Sequence, residues 1–153
     1  MGSPLPATTA EWIYWGVTLA IVSATAAAGD RPERLGSMIV LFSFILSALT
    51  QFLVVGVAQI GILAVDAVQT IAFTGLALAT PRWWPRIAAA FALLTVVAHL
   101  VAIPLSRDWA WAYAMMQWVV SAGLLLSLLI ALIELPFARA YSAWEAGEAV
   151  QGR

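Results

Sequence analysis

Two side chains capable of chemistry lie well inside apolar stretches of the chain. Asp66 is the only acid within a long uncharged run, and His99, the only histidine, lies in the next apolar run. An ionised carboxylate at bilayer depth costs several kcal/mol unless it is paired, hydrated or neutralised. The sequence therefore predicts that Asp66 and His99 are partners.

Four more polar side chains are expected beside this pair: Gln51, Gln69, Tyr113 and Gln117. The plainer interpretation is a buried hydrogen-bond network, in which Asp66 accepts from His99, Gln51 or Gln117. Polar pairs between membrane helices contribute only about 0.6 kcal/mol on average, so such a network specifies geometry more than it stabilises.

A sharper interpretation gives Asp66 and His99 a ligand or a proton to handle. The pair can hydrogen-bond a quinone head group, or His99 can be the axial ligand of a haem or chlorophyll-type pigment. Under the same interpretation, the pair can instead relay protons. The sequence leaves these alternatives open.

The amino-acid composition argues against metal binding and covalent catalysis. The chain has no cysteine and no lysine, which excludes disulfides, thiolate metal sites and Schiff-base chemistry. First-row metals need three or four ligands, whereas the predicted polar layer offers one histidine and one acid. We therefore predict no catalytic residue and no metal site, and the sequence favours a non-enzymatic protein. A net charge of −1 argues against nucleic acid as a partner.

Composition places the chain in a membrane. Apolar residues make up 63%, charged residues only 10%, and the mean hydropathy is +0.96; soluble domains carry about 25% charged residues. The apolar run that begins at Trp12 resembles a signal peptide, but no positive charge precedes it. We expect it to be an uncleaved first helix.

The predicted fold is an all-α integral membrane bundle of five transmembrane helices in one domain. Residues 36–80 contain no Lys or Arg, and a single helix of that length, about 67 Å, is over twice the hydrocarbon thickness of about 30 Å. Two helices with a turn near 55–61 are therefore expected. The predicted helices cover about 11–29, 36–56, 59–80, 86–105 and 109–134, followed by an interfacial cytoplasmic tail over 135–153.

Arginine placement predicts the orientation. With five helices, Arg107 stands alone on one side, and the other six arginines share the opposite side. The positive-inside rule then puts the N-terminus outside and the C-terminus in the cytoplasm of a bacterial inner membrane. At 1.5 Å per residue, Asp66, His99, Gln51 and Gln117 lie at depths of about 10, 9, 8 and 12 Å, in one layer of the outer leaflet.

Two surface features are also predicted. A ridge of small residues on the first helix, suited to close approach of another helix backbone, comprises Gly16, Ala20, Ala24 and Ala28. The loop before the fourth helix is expected at the lipid interface, with tryptophans at headgroup depth and arginines facing anionic lipid. Its residues are Arg82, Trp83, Trp84 and Arg86.

Size, helix count and tryptophan content resemble the tryptophan-rich sensory proteins, but the Pro- and Trp-rich first loop of that family is absent. The chain is more similar to small five-helix inner-membrane proteins of alphaproteobacteria. The motifs that carry this resemblance are Gly29–Arg34, Val65-Asp66, Arg82-Trp83-Trp84-Pro85 and Leu94–Leu100. The resemblance implies no activity, only that Asp66 and His99 occur together.

Two functions follow as hypotheses. The first is an accessory or scaffolding subunit that packs beside partner membrane proteins or a second copy of itself, surrounded by lipid. The second is a protein that handles a quinone, a tetrapyrrole or protons through Asp66 and His99.

Overall fold

The chain folds into an all-α bundle. The computed structural model describes residues 9–55 and 57–151, with side chains up to residue 144. The elements are α1 (Thr9–Ala28), α2 (Arg31–Thr50), β1 (Val54–Val55), β2 (Ala58–Gln59), α3 (Ile60–Ala79), α4 (Trp84–Ala102), a 3-10 turn (Arg107–Trp109) and α5 (Ala110–Gln151). Helix α4 is central because it packs extensively against both α3 and α5, whereas α1 contacts α2 and α5.

The predicted fold-back of residues 36–80 is confirmed: α2 and α3 are separate helices joined by a turn. The turn is longer than predicted, since α2 ends at Thr50 rather than near residue 56. Strands β1 and β2 form an antiparallel hairpin within it, where β-branched valines favour extended backbone. A Cβ atom at Gly61 would meet the carbonyl oxygen of Thr50, so glycine permits the close approach of α2 and α3 here.

Helix α2 begins five residues earlier than predicted, at Arg31. The carboxylate of Glu33 accepts a hydrogen bond from the backbone N–H of Asp30 at 3.0 Å. Pro32 stands in the first turn, where its missing N–H leaves no bond unmade. The pattern Asp-x-x-Glu is a capping-box signature, which the predicted helix start at residue 36 overlooked.

Helix α5 is longer than predicted, because it continues through Pro136 to Gln151 instead of ending near residue 134. Just past the proline, Arg139 Nη2 donates to Asp30 Oδ1 at 2.8 Å and to the Ala28 carbonyl oxygen at 2.9 Å. These bonds tie the extension to the α1–α2 junction and offset the hydrogen bond that proline removes.

Within the described residues, four helices are long and apolar enough to cross a membrane: α2, α3, α4 and α5. The first helix, α1, is not among them. The outer surface is itself apolar; on α3, Val68, Ile71 and Leu78 are 67%, 73% and 85% exposed. Such an exterior suits lipid rather than water.

Consecutive helices are antiparallel, so the bundle has two distinct ends. The hairpin end carries the start of α1, the β1–β2 hairpin and the α4–α5 connection. The opposite end, which we call the arginine end, carries the α1–α2 and α3–α4 connections and the extension of α5. Among the described arginines, only Arg107 lies at the hairpin end; those at the arginine end are Arg31, Arg34, Arg82, Arg86 and Arg139.

The predicted lipid-interface position of Trp84 is wrong, because its side chain is fully buried at the arginine end. Its indole Nε1 donates to Glu33 Oε1 at 3.1 Å. The indole ring lies against Gly36, where any Cβ atom would overlap it, and meets the Phe73 ring edge-on at a centroid distance of 6.2 Å. Gly36 creates the slot that accepts the indole.

Arg82 is also turned inward rather than toward lipid; its side chain is only 12% exposed. It lies 3.3 Å from Asp30 and 3.8 Å from Glu33, and Arg139 binds the same Asp30. The hydrogen bond from Arg139, helped by the nearby arginine charges, lowers the pKa of Asp30. We call Asp30, Glu33, Arg82 and Arg139 the ionic cluster.

Trp83 and Arg86 are exposed, in keeping with the predicted interface. The guanidinium of Arg86 lies 4.9 Å from the centroid of the Trp83 ring. Lipid contact by these two residues stays a prediction.

Glu134, on α5, contacts the start of α4. Its carboxylate accepts the backbone N–H groups of Trp83 at 3.0 Å and Trp84 at 3.2 Å. An anion there satisfies unpaired donors at the start of α4 and complements the helix dipole.

The small-residue ridge of α1 lies on the outer surface of the described part of the chain. Gly16, Ala20, Ala24 and Ala28 are all exposed, whereas Thr18, Val22 and Thr25 face the bundle interior. Contact of the ridge with another helix stays a prediction.

Candidate functional site

The structure brings together four of the six polar side chains named from the sequence. His99 Nε2 lies 3.1 Å from Asp66 Oδ2, and His99 Nδ1 lies 2.6 Å from the hydroxyl of Tyr113. The amide nitrogen of Gln117 lies 3.1 Å from His99 Nε2. The partnership of Asp66 with His99 is therefore present.

Helix register explains why the pair meets. Helix α3 begins at Ile60 and α4 ends at Ala102, both at the hairpin end, so Asp66 and His99 lie within two turns of the same end. The buried face of α4 carries small residues that let its neighbours approach closely. These are Ala88, Ala92, Ala98 and Ala102.

One assignment of the protons is consistent with these contacts once the Gln117 amide is turned over. The backbone N–H of Gln59, in strand β2, donates to the Tyr113 oxygen at 3.4 Å, which leaves the Tyr113 proton for His99 Nδ1. The proton of neutral His99 is then on Nε2 and is donated to Asp66. Gln117 fits beside a protonated Nε2 only through its carbonyl oxygen, with the amide turned over.

The resulting relay runs from the hairpin through Tyr113 and His99 to Asp66. Ala58 of strand β2 is fully buried against Ala102 and Tyr113, so packing holds the hairpin over this end of the relay. A chain of this kind can hold a proton and pass it along between adjacent hydrogen-bonded groups.

His99 is poorly placed to ligate a tetrapyrrole. Its side chain is fully buried, and both ring nitrogens already have hydrogen-bond partners. Axial ligation requires one of those bonds to break. In the part of the chain that the structure describes, no three His, Asp or Glu side chains converge on a possible metal position.

A cavity of about 720 Å³ lies beside the relay and extends to the hairpin end. This volume is typical of small-molecule sites, which range over about 300–1,000 Å³. Asp66 reaches the cavity, whereas His99 does not line it. The polar and aromatic lining residues are Glu11, Tyr14, Trp15, Thr18, Ser43, Phe44, Ser47, Gln51, Gln59, Asp66, Gln69, Thr95, Tyr113, Gln117, Trp118 and Ser121.

The charged residues described in the cavity lining are all acids. Glu11 and Asp66 line it, and the lining contains no arginine, lysine or histidine from the described residues. A carboxylate or phosphate ligand would meet repulsion without a compensating cation. The cavity therefore suits a neutral or cationic molecule.

Aromatic rings form one wall of the cavity. Tyr14 meets the Trp118 ring edge-on at a centroid distance of 5.1 Å, and Trp15 meets Phe44 edge-on at 4.7 Å. Such rings offer flat apolar surface for a planar ligand. Nothing in the local pattern of the sequence marks Phe44 or Trp118 as the partners of Tyr14 and Trp15 across the bundle.

The remaining two predicted polar residues, Gln51 and Gln69, line the cavity. Gln69 is only 5% exposed, and its Nε2 atom has no hydrogen-bond acceptor among the residues described. A buried donor left unsatisfied costs about 1–3 kcal/mol. Gln69 thus lines the cavity with a buried, unsatisfied amide nitrogen, which becomes a donor to a molecule in the cavity only when the amide turns toward it.

Comparison with protein families, with curated proteins and with solved structures finds no match to this chain, so functional inference rests on the geometry of the site.

Proposed function

We propose that this protein binds a neutral carbonyl-bearing molecule, of the quinone head-group type, in the cavity beside Asp66. The observation that carries the proposal is that Gln69 lines the cavity while its buried amide nitrogen has no acceptor among the described residues. A ligand carbonyl oxygen supplies that acceptor once the Gln69 amide turns toward it.

The rest of the cavity supports the same ligand class. Among the described residues its lining has acids but no arginine, lysine or histidine, which disfavours carboxylates and phosphates, and its aromatic wall suits a planar ring. A tetrapyrrole is disfavoured because His99 is enclosed by its hydrogen bonds. Asp66 is the group through which a proton held by the relay reaches a bound carbonyl compound.

Replacing Gln69 with leucine tests this proposal. We expect the affinity for dimethoxy-methyl-benzoquinone, a quinone head group without a chain, to fall roughly tenfold, because one hydrogen bond of about 1–1.5 kcal/mol is lost. Titration of the purified protein measures it through quenching of tryptophan fluorescence, since Trp15 and Trp118 line the cavity.

Thr74→Leu, at an exposed position on the same helix, is the control and should leave the affinity unchanged. Failure of the wild-type protein to bind the compound, or equal affinity in wild type and Gln69→Leu, contradicts the proposal.

We further propose that all five helices cross a bacterial inner membrane, with the hairpin end outside and the arginine end in the cytoplasm. The clustering of arginines at one end supports this orientation through the positive-inside rule. Reporter fusions should place the N-terminus outside and the C-terminus in the cytoplasm; both termini in one compartment would contradict five spans.

A scaffolding role is the second candidate function. It is favoured by exposure of the whole α1 ridge, Gly16, Ala20, Ala24 and Ala28, which leaves a smooth face for another membrane helix. Partner proteins that co-purify in mild detergent and are lost when Ala24 is replaced by phenylalanine would support it.

A further inference from the structure

A second depression lies on the outer surface between α1 and α5. It has a volume of about 270 Å³ and is lined mainly by apolar side chains. The residues that belong to it alone include Ile13 and Val17 from α1 and Ala122 from α5. We call this depression the lateral groove.

The lateral groove adjoins the cavity. Tyr14, Trp118 and Leu125 line both spaces, and the edge-on contact of Tyr14 with Trp118 stands between them. Asp66 and Gln69 line the cavity and not the lateral groove. A molecule that fills both spaces therefore meets polar groups at one end and apolar groups at the other.

The lateral groove also opens onto the apolar exterior. Ile13 is 61% exposed, Val17 is 45% exposed and Ala122 is exposed. Helices α1 and α5 both start at the hairpin end and run in the same direction, so the groove lies beside the cavity at similar depth. In a bilayer, this part of the surface faces acyl chains.

We infer that the ligand is an amphiphile, with its neutral carbonyl head in the cavity and a single apolar chain in the lateral groove. This inference rests on the proposed quinone-type ligand and adds the chain and its path. The ligand enters sideways from the bilayer between α1 and α5, so its chain stays in an apolar environment throughout. A head group without a chain uses only half of the site.

The test compares dimethoxy-methyl-benzoquinone with its decyl-substituted analogue on the full chain in one detergent, with empty micelles to correct for partitioning. We expect the decyl compound to bind wild type at least tenfold more tightly. Ala122→Phe should abolish that gain while changing the affinity for the chain-free compound less than threefold. Val119→Phe, which adds the same ring at a position 68% exposed and outside both spaces, should leave the gain intact.

Val17→Phe fills the groove from the α1 side. If Ala122→Phe fails to fold, Val17→Phe should show the same loss of the extra affinity for the decyl compound. If both groove variants still bind the decyl compound as much more tightly than the chain-free compound as wild type does, the lateral groove is not the chain site. The Gln69-dependent head site would remain in place. Equal loss of both compounds overturns a separate chain site. If neither compound binds wild type, the proposed function fails and this inference fails with it.

Discussion

Replacing Glu33 with alanine is expected to lower the free energy of unfolding by about 3–5 kcal/mol, the range seen when one partner of a buried ion pair is removed. Glu33 is fully buried and accepts hydrogen bonds from the Trp84 indole and the Asp30 backbone. Its removal leaves those donors unsatisfied and leaves the largely buried Arg82 with only Asp30 as a partner.

Unfolding of the purified protein in mixed detergent, followed by circular dichroism, measures this loss. Glu33→Gln keeps an acceptor but removes the charge, so we expect a smaller loss. Arg31→Gln, at an exposed position in the same turn, is the control and should change stability by less than about 0.5 kcal/mol. A Glu33→Ala protein as stable as Arg31→Gln would mean that the ionic cluster does not hold this end together.

The second large effect is expected from separating Asp66 and His99. Removing His99 leaves the Asp66 carboxylate, which is 8% exposed, without its donor. A neutral polar pair between membrane helices contributes about 0.6 kcal/mol, whereas an unpaired buried carboxylate costs more. In a double-mutant cycle with His99→Ala and Asp66→Leu, we therefore expect a coupling energy of about 1–3 kcal/mol.

The same unfolding measurement on wild type, the two single variants and the double variant gives this coupling. Asp66→Asn is the matched control, because the amide oxygen still accepts from His99 Nε2 while the charge is gone. Its coupling to His99 should fall toward the neutral value. A coupling near zero for Asp66→Leu would show that cavity water already solvates the carboxylate and that His99 is not its essential partner.

Local chemistry in the sequence was enough to predict an all-α fold. A stretch of 45 residues without Lys or Arg is too long for one span, so residues 36–80 were predicted to fold back. That fold-back, with 1.5 Å of rise per residue, was enough to bring Asp66 level with His99. The capping box at Asp30 is also visible in the sequence, although the second helix was predicted to begin only at residue 36.

Tertiary structure alone decided which side chains at the arginine end are buried. Trp84 and Arg82 have the composition of an interfacial loop, but Gly36 and Glu33 on another helix offer a slot and a carboxylate. Arg139 finds Asp30 across 109 positions of the chain. Sequence periodicity describes one helix at a time, so it carries no information about such pairings.

The cavity and the lateral groove were also decided by the tertiary structure alone. Their walls are ordinary apolar and aromatic residues from several helices, and their existence depends on how closely those helices approach. Spacing along each helix could place Asp66 level with His99, because rise per residue is a local property. Only packing between distant segments determined that Gln69 lines the same cavity as Tyr14 and Trp118, since a void is a property of several surfaces together.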